Sequence, residues 1–141
     1  MKKIIFVAMA LICAYATSFA QSKTPNAVTT TFNQKFPNAS NLKWDKENAH
    51  EYEASFEWKG EKHSANISDT GEWLETESPT TFNQLPEKVQ TAFNVSHKGA
   101  TIKAVAKIET SKGSTKYEVE IKQGIKTVEL FYDTNGNELK E

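Results

Sequence analysis

Apolar residues recur every four positions and then every two, and this change of period happens twice along the chain. Val28, Phe32 and Phe36 fall four apart, which lines one face of a helix, and Pro37 forbids continuation. Thr24 is a candidate cap and Pro25 suits the first helical position. Pro86, Val89 and Phe93 repeat the arrangement, with Glu87 near the positive end of the helix dipole. From His50 to Trp58 the residues Tyr52, Ala54, Phe56 and Trp58 alternate with Glu51, Glu53, Ser55 and Glu57, which predicts a strand with one dry and one wet face. Tyr117, Val119 and Ile121 alternate with Glu118, Glu120 and Lys122 in the same way.

Turn residues punctuate these runs. Lys59-Gly60 and Gln123-Gly124 read as hairpin turns, returning through His63, Ala65 and Ile67 in one half and Val128, Leu130 and Tyr132 in the other. Asp69-Thr70-Gly71 and Asn135-Gly136 then turn the chain into short strands that hold Leu74 and Leu139. An earlier strand carries Leu42 and Trp44, matched by Ile102 to Ile108. The pattern predicts an α+β fold: a tandem repeat of one helix followed by about four antiparallel strands, with the helices packed on one face of the sheet.

The correspondence between halves is residue by residue. Pro25, Val28 and Phe32 recur 61 positions later, and Tyr52-Glu53, Ala65, Gly71 and Leu74 recur 65 positions later as Tyr117-Glu118, Leu130, Gly136 and Leu139. A block that recurs with its helix start, strand pattern and turn glycine in order is one supersecondary unit used twice. The repeats are expected at 21–76 and 86–141. Residues 77–85 form the connection, too short for a free tether and supplied with Phe82 and Leu85 for packing. One continuous unit with a shared core is expected rather than two domains on a flexible linker.

The first twenty residues stand outside this pattern. Lys2 and Lys3, the apolar stretch Ile4 to Ala16 and the Ser18-Phe19-Ala20 ending have the layout of a signal peptide cleaved before Gln21. A periplasmic or secreted, soluble product is expected. No second apolar run approaches the roughly twenty residues needed to span a bilayer, and no membrane anchor is visible. Cys13 lies within the signal segment, so the exported chain keeps no cysteine and must be held by core packing alone. Losing Lys2 and Lys3 moves the formal charge from −1 to −3. That balance gives no basis for gripping nucleic acid or anionic lipid.

Five segments carry a family likeness: Lys35-Phe36-Pro37-Asn38-Ala39, Tyr52-Glu53-Ala54-Ser55-Phe56, Asp69-Thr70-Gly71-Glu72-Trp73, Leu85-Pro86 before a helix, and Tyr117-Glu118-Val119-Glu120-Ile121. Together they resemble the PepSY-like, β-lactamase-inhibitor-like family of small exported bacterial proteins, over nearly the whole exported chain. The resemblance implies a tandem α/β repeat with helices on one side of an antiparallel sheet and the other side open. Inhibition belongs to distant relatives of that fold, whose disulfides this chain lacks, and fold alone does not transfer function.

Candidate chemistry is sparse. Glu51, Glu53 and Glu57 share a strand face, and carboxylates two residues apart on a strand sit about 6–7 Å apart, a spacing that two-carboxylate hydrolases use. The wetted side of a strand explains them better, because no sequence feature marks a pocket that would split their pKa values. His50, His63 and His97 lack the close spacing of a zinc motif. The run from Asp133 to Glu138 looks like a calcium loop, but its glycine comes too early, and a tight Asn-Gly turn of type I′ explains it. There is no Gly-x-Ser-x-Gly elbow and no glycine-rich phosphate cradle.

What remains is surface. If Tyr52, Phe56, Ala65, Ile67 and Leu74 face the helices, Trp73 and Phe131 point to the opposite, open side, where large aromatics would anchor a partner. Glu53, Glu57, Lys62, Glu118 and Lys122 then form a charged rim. Trp44 and Trp58 fit either core or surface. The expected function is a non-catalytic exported binding module that recognises a protein or peptide in the cell envelope through the open sheet face, an inhibitor of a hydrolase or peptidase being one form of it. The alternative is a small-ligand or cofactor carrier using an aromatic-lined cleft between the repeats. No metal or cofactor is expected in the leading reading.

Overall fold

Helix α1 spans Asn26–Lys35 and helix α2 spans Glu87–Ser96 in the computed structural model, which describes residues 23–140. The expected signal segment lies outside the described residues. Pro25 and Pro86 precede their helices as N-cap residues, rather than opening them, and neither helix has a side-chain cap from Thr24 or any other residue. Their φ values of −58° and −54° with extended ψ meet both the ring constraint and the N-cap conformation. Each proline carbonyl accepts the first helical bonds, from Val28 and Thr29 in α1 and from Val89 and Gln90 in α2.

Eight strands follow the chain in order: β1 (Ser40–Asn48), β2 (Glu51–Trp58), β3 (Glu61–Ser68) and β4 (Trp73–Pro79), then β5 (Thr101–Thr110), β6 (Thr115–Gln123), β7 (Lys126–Asp133) and β8 (Glu138–Leu139). They form one antiparallel meander, β1 to β8, with each strand paired to its sequence neighbour. Element order thus reads helix and four strands, then helix and four strands. Glu77–Pro79 belong to β4 and pair with Ile108, Lys107 and Ala106 of β5, so the start of the expected connection is part of the sheet. The rest contains a 3₁₀ turn, Phe82–Gln84, closed by reciprocal bonding between Thr81 and Gln84.

The core is not shared between the halves. Val28, Phe32 and Phe36 pack with Tyr52, Ala54, Phe56, Ala65 and Ile67 in one cluster, while Val89, Phe93, Val119, Ile121, Leu130 and Tyr132 belong to another. Each helix carries one narrow apolar stripe and covers only the strands that follow it. The halves are joined by the β4–β5 backbone ladder instead.

The turns correct two expectations. Lys59-Gly60 has φ of 53° and 85°, the two positive values of a type I′ turn, but the β6–β7 loop is Gly124-Ile125, since Gln123 still pairs with Lys126. Asn135-Gly136 is not type I′, because only Gly136 has positive φ and its N–H returns to the Asp133 carbonyl across a four-residue turn. Gly71 closes onto Ser68 in the same way. Both glycines lie against a helix start: a Cβ would fall 2.9 Å from the Ala27 carbonyl at Gly71 and 2.5 Å from the Lys88 carbonyl at Gly136. These turns seat the helices on the sheet, and Thr31 Oγ1 donates to the Gly71 carbonyl at 2.6 Å.

Candidate binding face

Directly opposed residues in an antiparallel ladder share a face, so the registers sort every strand position. Opposite the helices, Lys43, Ser55, Ser64, Glu77, Ile108 and Lys116 form one row across β1 to β6. A second row carries Glu57, Lys62, Pro79, Ala106, Glu118 and Phe131. Glu53 lies between Asp45 and Asn66, with Glu75 beyond. Glu53, Glu57 and Lys62 are therefore together on the helix-free face.

Trp73 is not on that face. A bulge between Asn66 and Ile67 sets Trp73 opposite Ile67, shifting the alternation by one residue, and the ring packs against the α1 cluster. Its Nε1 donates to Thr76 Oγ1 at 2.9 Å and Lys35 Nζ stands 3.5 Å from the ring centroid. Leu74, expected toward the helices, joins neither buried cluster. Phe131 lies on the helix-free side opposite Glu118, yet it is 6% exposed and offers a partner little area. Trp44 and Trp58 are half-buried helix-side residues, edge-on to Phe32 and Phe36 respectively, and Trp58 Nε1 donates to the Pro37 carbonyl.

The helix-free face is a trough. A depression of about 770 Å³ crosses from β1 to β6, floored by Ser55, Ser64, Pro79, Ala104 and Ala106 and edged by Glu53, Glu57, Lys62, Glu77, Glu118 and Glu120. Glu118 and Glu120 are buried although no helix covers them. Both line the depression itself, on the β6 side.

The electrostatics are one-sided. Burial, then repulsion from Glu47 and Asp45, raises the Glu53 carboxyl to about 7. Burial, then repulsion from Glu53, Glu129 and Glu75, raises Glu77 to about 7 against a lowering hydrogen bond from Ser64. Asp45 directly opposes Glu53 and Glu120 directly opposes Glu129, like-charge pairs that cost a sheet stability. Lys116 Nζ lies 3.8 Å from Glu75 Oε2 and Lys62 opposes Glu57.

Other candidates disperse. His50 pairs with Asp69 at 3.0 Å and His97 with Glu138 at 3.1 Å, while His63 stacks on Phe56 on the helix side. Among the described residues no group of three or more His, Cys, Asp or Glu is placed to hold a metal. Asp133 spends its carboxylate on the N–H groups of Asn135 and Asn137, which hold its pKa below the usual range. Glu77, Glu120, Ala104 and Ala106 were missed from the sequence as site residues. The alternation of Glu75 and Glu77 with Thr76 and Ser78 was the available signal, obscured by reading Glu77 and Ser78 as the start of the connection.

The model of the family described as "Putative beta-lactamase-inhibitor-like, PepSY-like" matches twice, over residues 12–64 and 58–140. The chain belongs to the PepSY-like family. Among solved structures, this PepSY-like chain is similar to a BLIP-like protein from Bacteroides fragilis, 28% identical, with a TM-score of 0.66 and coverage of 82% of this chain and 84% of that one. A DUF2874 family protein from Bacteroides ovatus is 23% identical with a TM-score of 0.70, over 82% and 84% of the two chains. A Bacteroides eggerthii protein named among "putative periplasmic proteins" is 16% identical, with a TM-score of 0.74 and coverage of 83% and 86%. The last two likenesses establish the fold alone. No curated protein matches the sequence. No helix among the described residues is long and apolar enough to cross a membrane.

Proposed function

We propose that this PepSY-like chain is a non-catalytic binding module of the cell envelope, exported by its first twenty residues, which takes a protein or peptide segment on the helix-free sheet face. The observation that carries this reading is the trough: a concave surface crossing from β1 to β6, left uncovered because both helices sit on the other side. The two halves, 21–76 and 86–141, are copies of one unit, as the twice-read element order and the double family match support. Duplication doubles the width of the face without adding a second layer. An inhibitor of an envelope hydrolase or peptidase is one form such a module takes, in keeping with the BLIP-like description of the B. fragilis relative.

Glu53, Glu57 and Lys62 belong to this site, joined by Glu77, Glu118 and Glu120. The volume of the trough, about 770 Å³, also falls within the range of small-molecule sites, which favours a ligand carrier as the second reading. That ligand would lie on the open sheet, not in an aromatic cleft between the halves.

The test is capture from envelope extract by the full exported chain and by a Ser55→Tyr/Ser64→Tyr variant that fills the floor. Partners recovered by the native chain and lost by the filled one, with thermal stability retained, support the reading. Val95→Ser, on an exposed position of α2, serves as the control. Identical recovery by native and filled chains overturns it, and a small molecule in native mass spectra of the purified protein moves the site to the carrier reading.

A further inference from the structure

We propose that the occupant of the trough is a basic segment of a partner protein, whose arginine or lysine side chain lies along Pro79, Ala104 and Ala106 with its cation among Glu53, Glu77, Glu118 and Glu120. This rests on the binding reading above and names the chemistry of its partner.

Three observations carry it. First, the carboxylates come from β2, β4 and β6, so both halves contribute charge of one sign to one depression. Complementary potential fixes partner choice and orientation. Second, the floor between them is apolar where Pro79 and Ala106 pair across the β4–β5 junction and Ala104 follows two residues along β5. An aliphatic stem ending in a cation matches a small apolar floor edged by acids, because such side chains bury their methylenes while keeping the charge on polar groups. Third, the face holds unfavourable arrangements that folding alone does not require. Asp45 opposes Glu53 and Glu120 opposes Glu129 directly. Local rules broken on an exposed face mark sites kept for binding, and an inserted guanidinium would convert these repulsions into attraction.

Proton linkage follows from the same geometry. Glu53 and Glu77 are raised to about 7, so each retains protons near neutral pH in the free chain. Asp45, Glu47, Glu75 and Glu129 face them with the same sign. Lys43, Lys62, Lys116 and Lys122 are cations on that face. A cation entering the trough favours the ionised carboxylates and releases their protons, so binding tightens as pH rises.

Calorimetric titration of the exported chain with acetyl-tetra-arginine amide tests this, with acetyl-tetra-glutamate amide as the opposite-charge control. The expected result is binding of the arginine peptide alone, stronger at pH 8 than at pH 5.5, with protons released at pH 7. Glu53→Gln/Glu77→Gln should weaken it by about tenfold or more and flatten its pH dependence. Absence of arginine-peptide binding, or equal affinity in native and double-variant chains, overturns the inference. Envelope capture with the same double variant separates this failure from the earlier one. Partners kept by the double variant but lost by Ser55→Tyr/Ser64→Tyr sink the basic-segment proposal and leave the binding face standing, whereas partners kept by both sink the face itself.

Discussion

Lys35 holds its ammonium 3.5 Å above the ring centroid of Trp73, joining the last turn of α1 to the first residue of β4. The contact closes the edge of the first core, where a cation on an indole contributes about 0.5–1 kcal/mol at a partly exposed site. Trp73→Ala should therefore lower stability by about 2–3 kcal/mol in urea unfolding, below the range for fully buried tryptophans because the ring is half-buried. Partner capture by the folded fraction should be unchanged. Loss of capture without loss of stability would place Trp73 at the interface after all.

Gly71 and Gly136 should be the least replaceable turn glycines. Their positive φ costs an alanine about 1 kcal/mol, and the Cβ would also press on the Ala27 or Lys88 carbonyl. Gly71→Ala and Gly136→Ala should each cost well over 2 kcal/mol. Gly99→Ala, at φ +80° with nothing within 4 Å, should cost about 1 kcal/mol. Equal costs at all three positions would show that the helix contact is unimportant.

Stability should fall as pH rises from about 4.5 through about 7. Glu53 and Glu77 bind protons more tightly folded than unfolded, since their folded values are raised to about 7 from 4.5. Their stabilising share is thus complete below the unfolded value and gone above the folded one. Glu77→Gln should raise stability at pH 8, by on the order of 1–2 kcal/mol, and leave it little changed at pH 4.5. Guanidinium unfolding at both pH values reads this directly. A variant less stable than the native chain at pH 8 would show that the Glu77 carboxylate is favourably paired.

Thermal unfolding should be a single transition despite the two separate cores. The β4–β5 ladder from Glu75–Thr110 to Pro79–Ala106 makes each half the sheet neighbour of the other. Opening one half would strip the bonding edge of the other. Calorimetry should give equal van't Hoff and calorimetric enthalpies. Two resolved peaks would mean that the ladder does not couple the halves.

The period of the apolar positions determined most of the architecture. Val28 and Phe32, then Val89 and Phe93, are buried under the strands they precede, and Tyr52, Ala54 and Phe56 face them, because side-chain direction follows backbone period with no help from distant residues. The alternation also placed Glu53 and Glu57 away from the helices. It failed at Trp73, where one extra residue between it and Glu75 turns Trp73 to the helix side while Glu75 and Glu77 keep the face that alternation gives them, and bulges leave no mark in a polarity pattern. The trough itself was decided only in three dimensions. Glu53, Glu77 and the pair Glu118 and Glu120 belong to three strands, β2, β4 and β6, and only the assembled sheet lines one depression with them, a relation between distant strands that no single segment of sequence specifies.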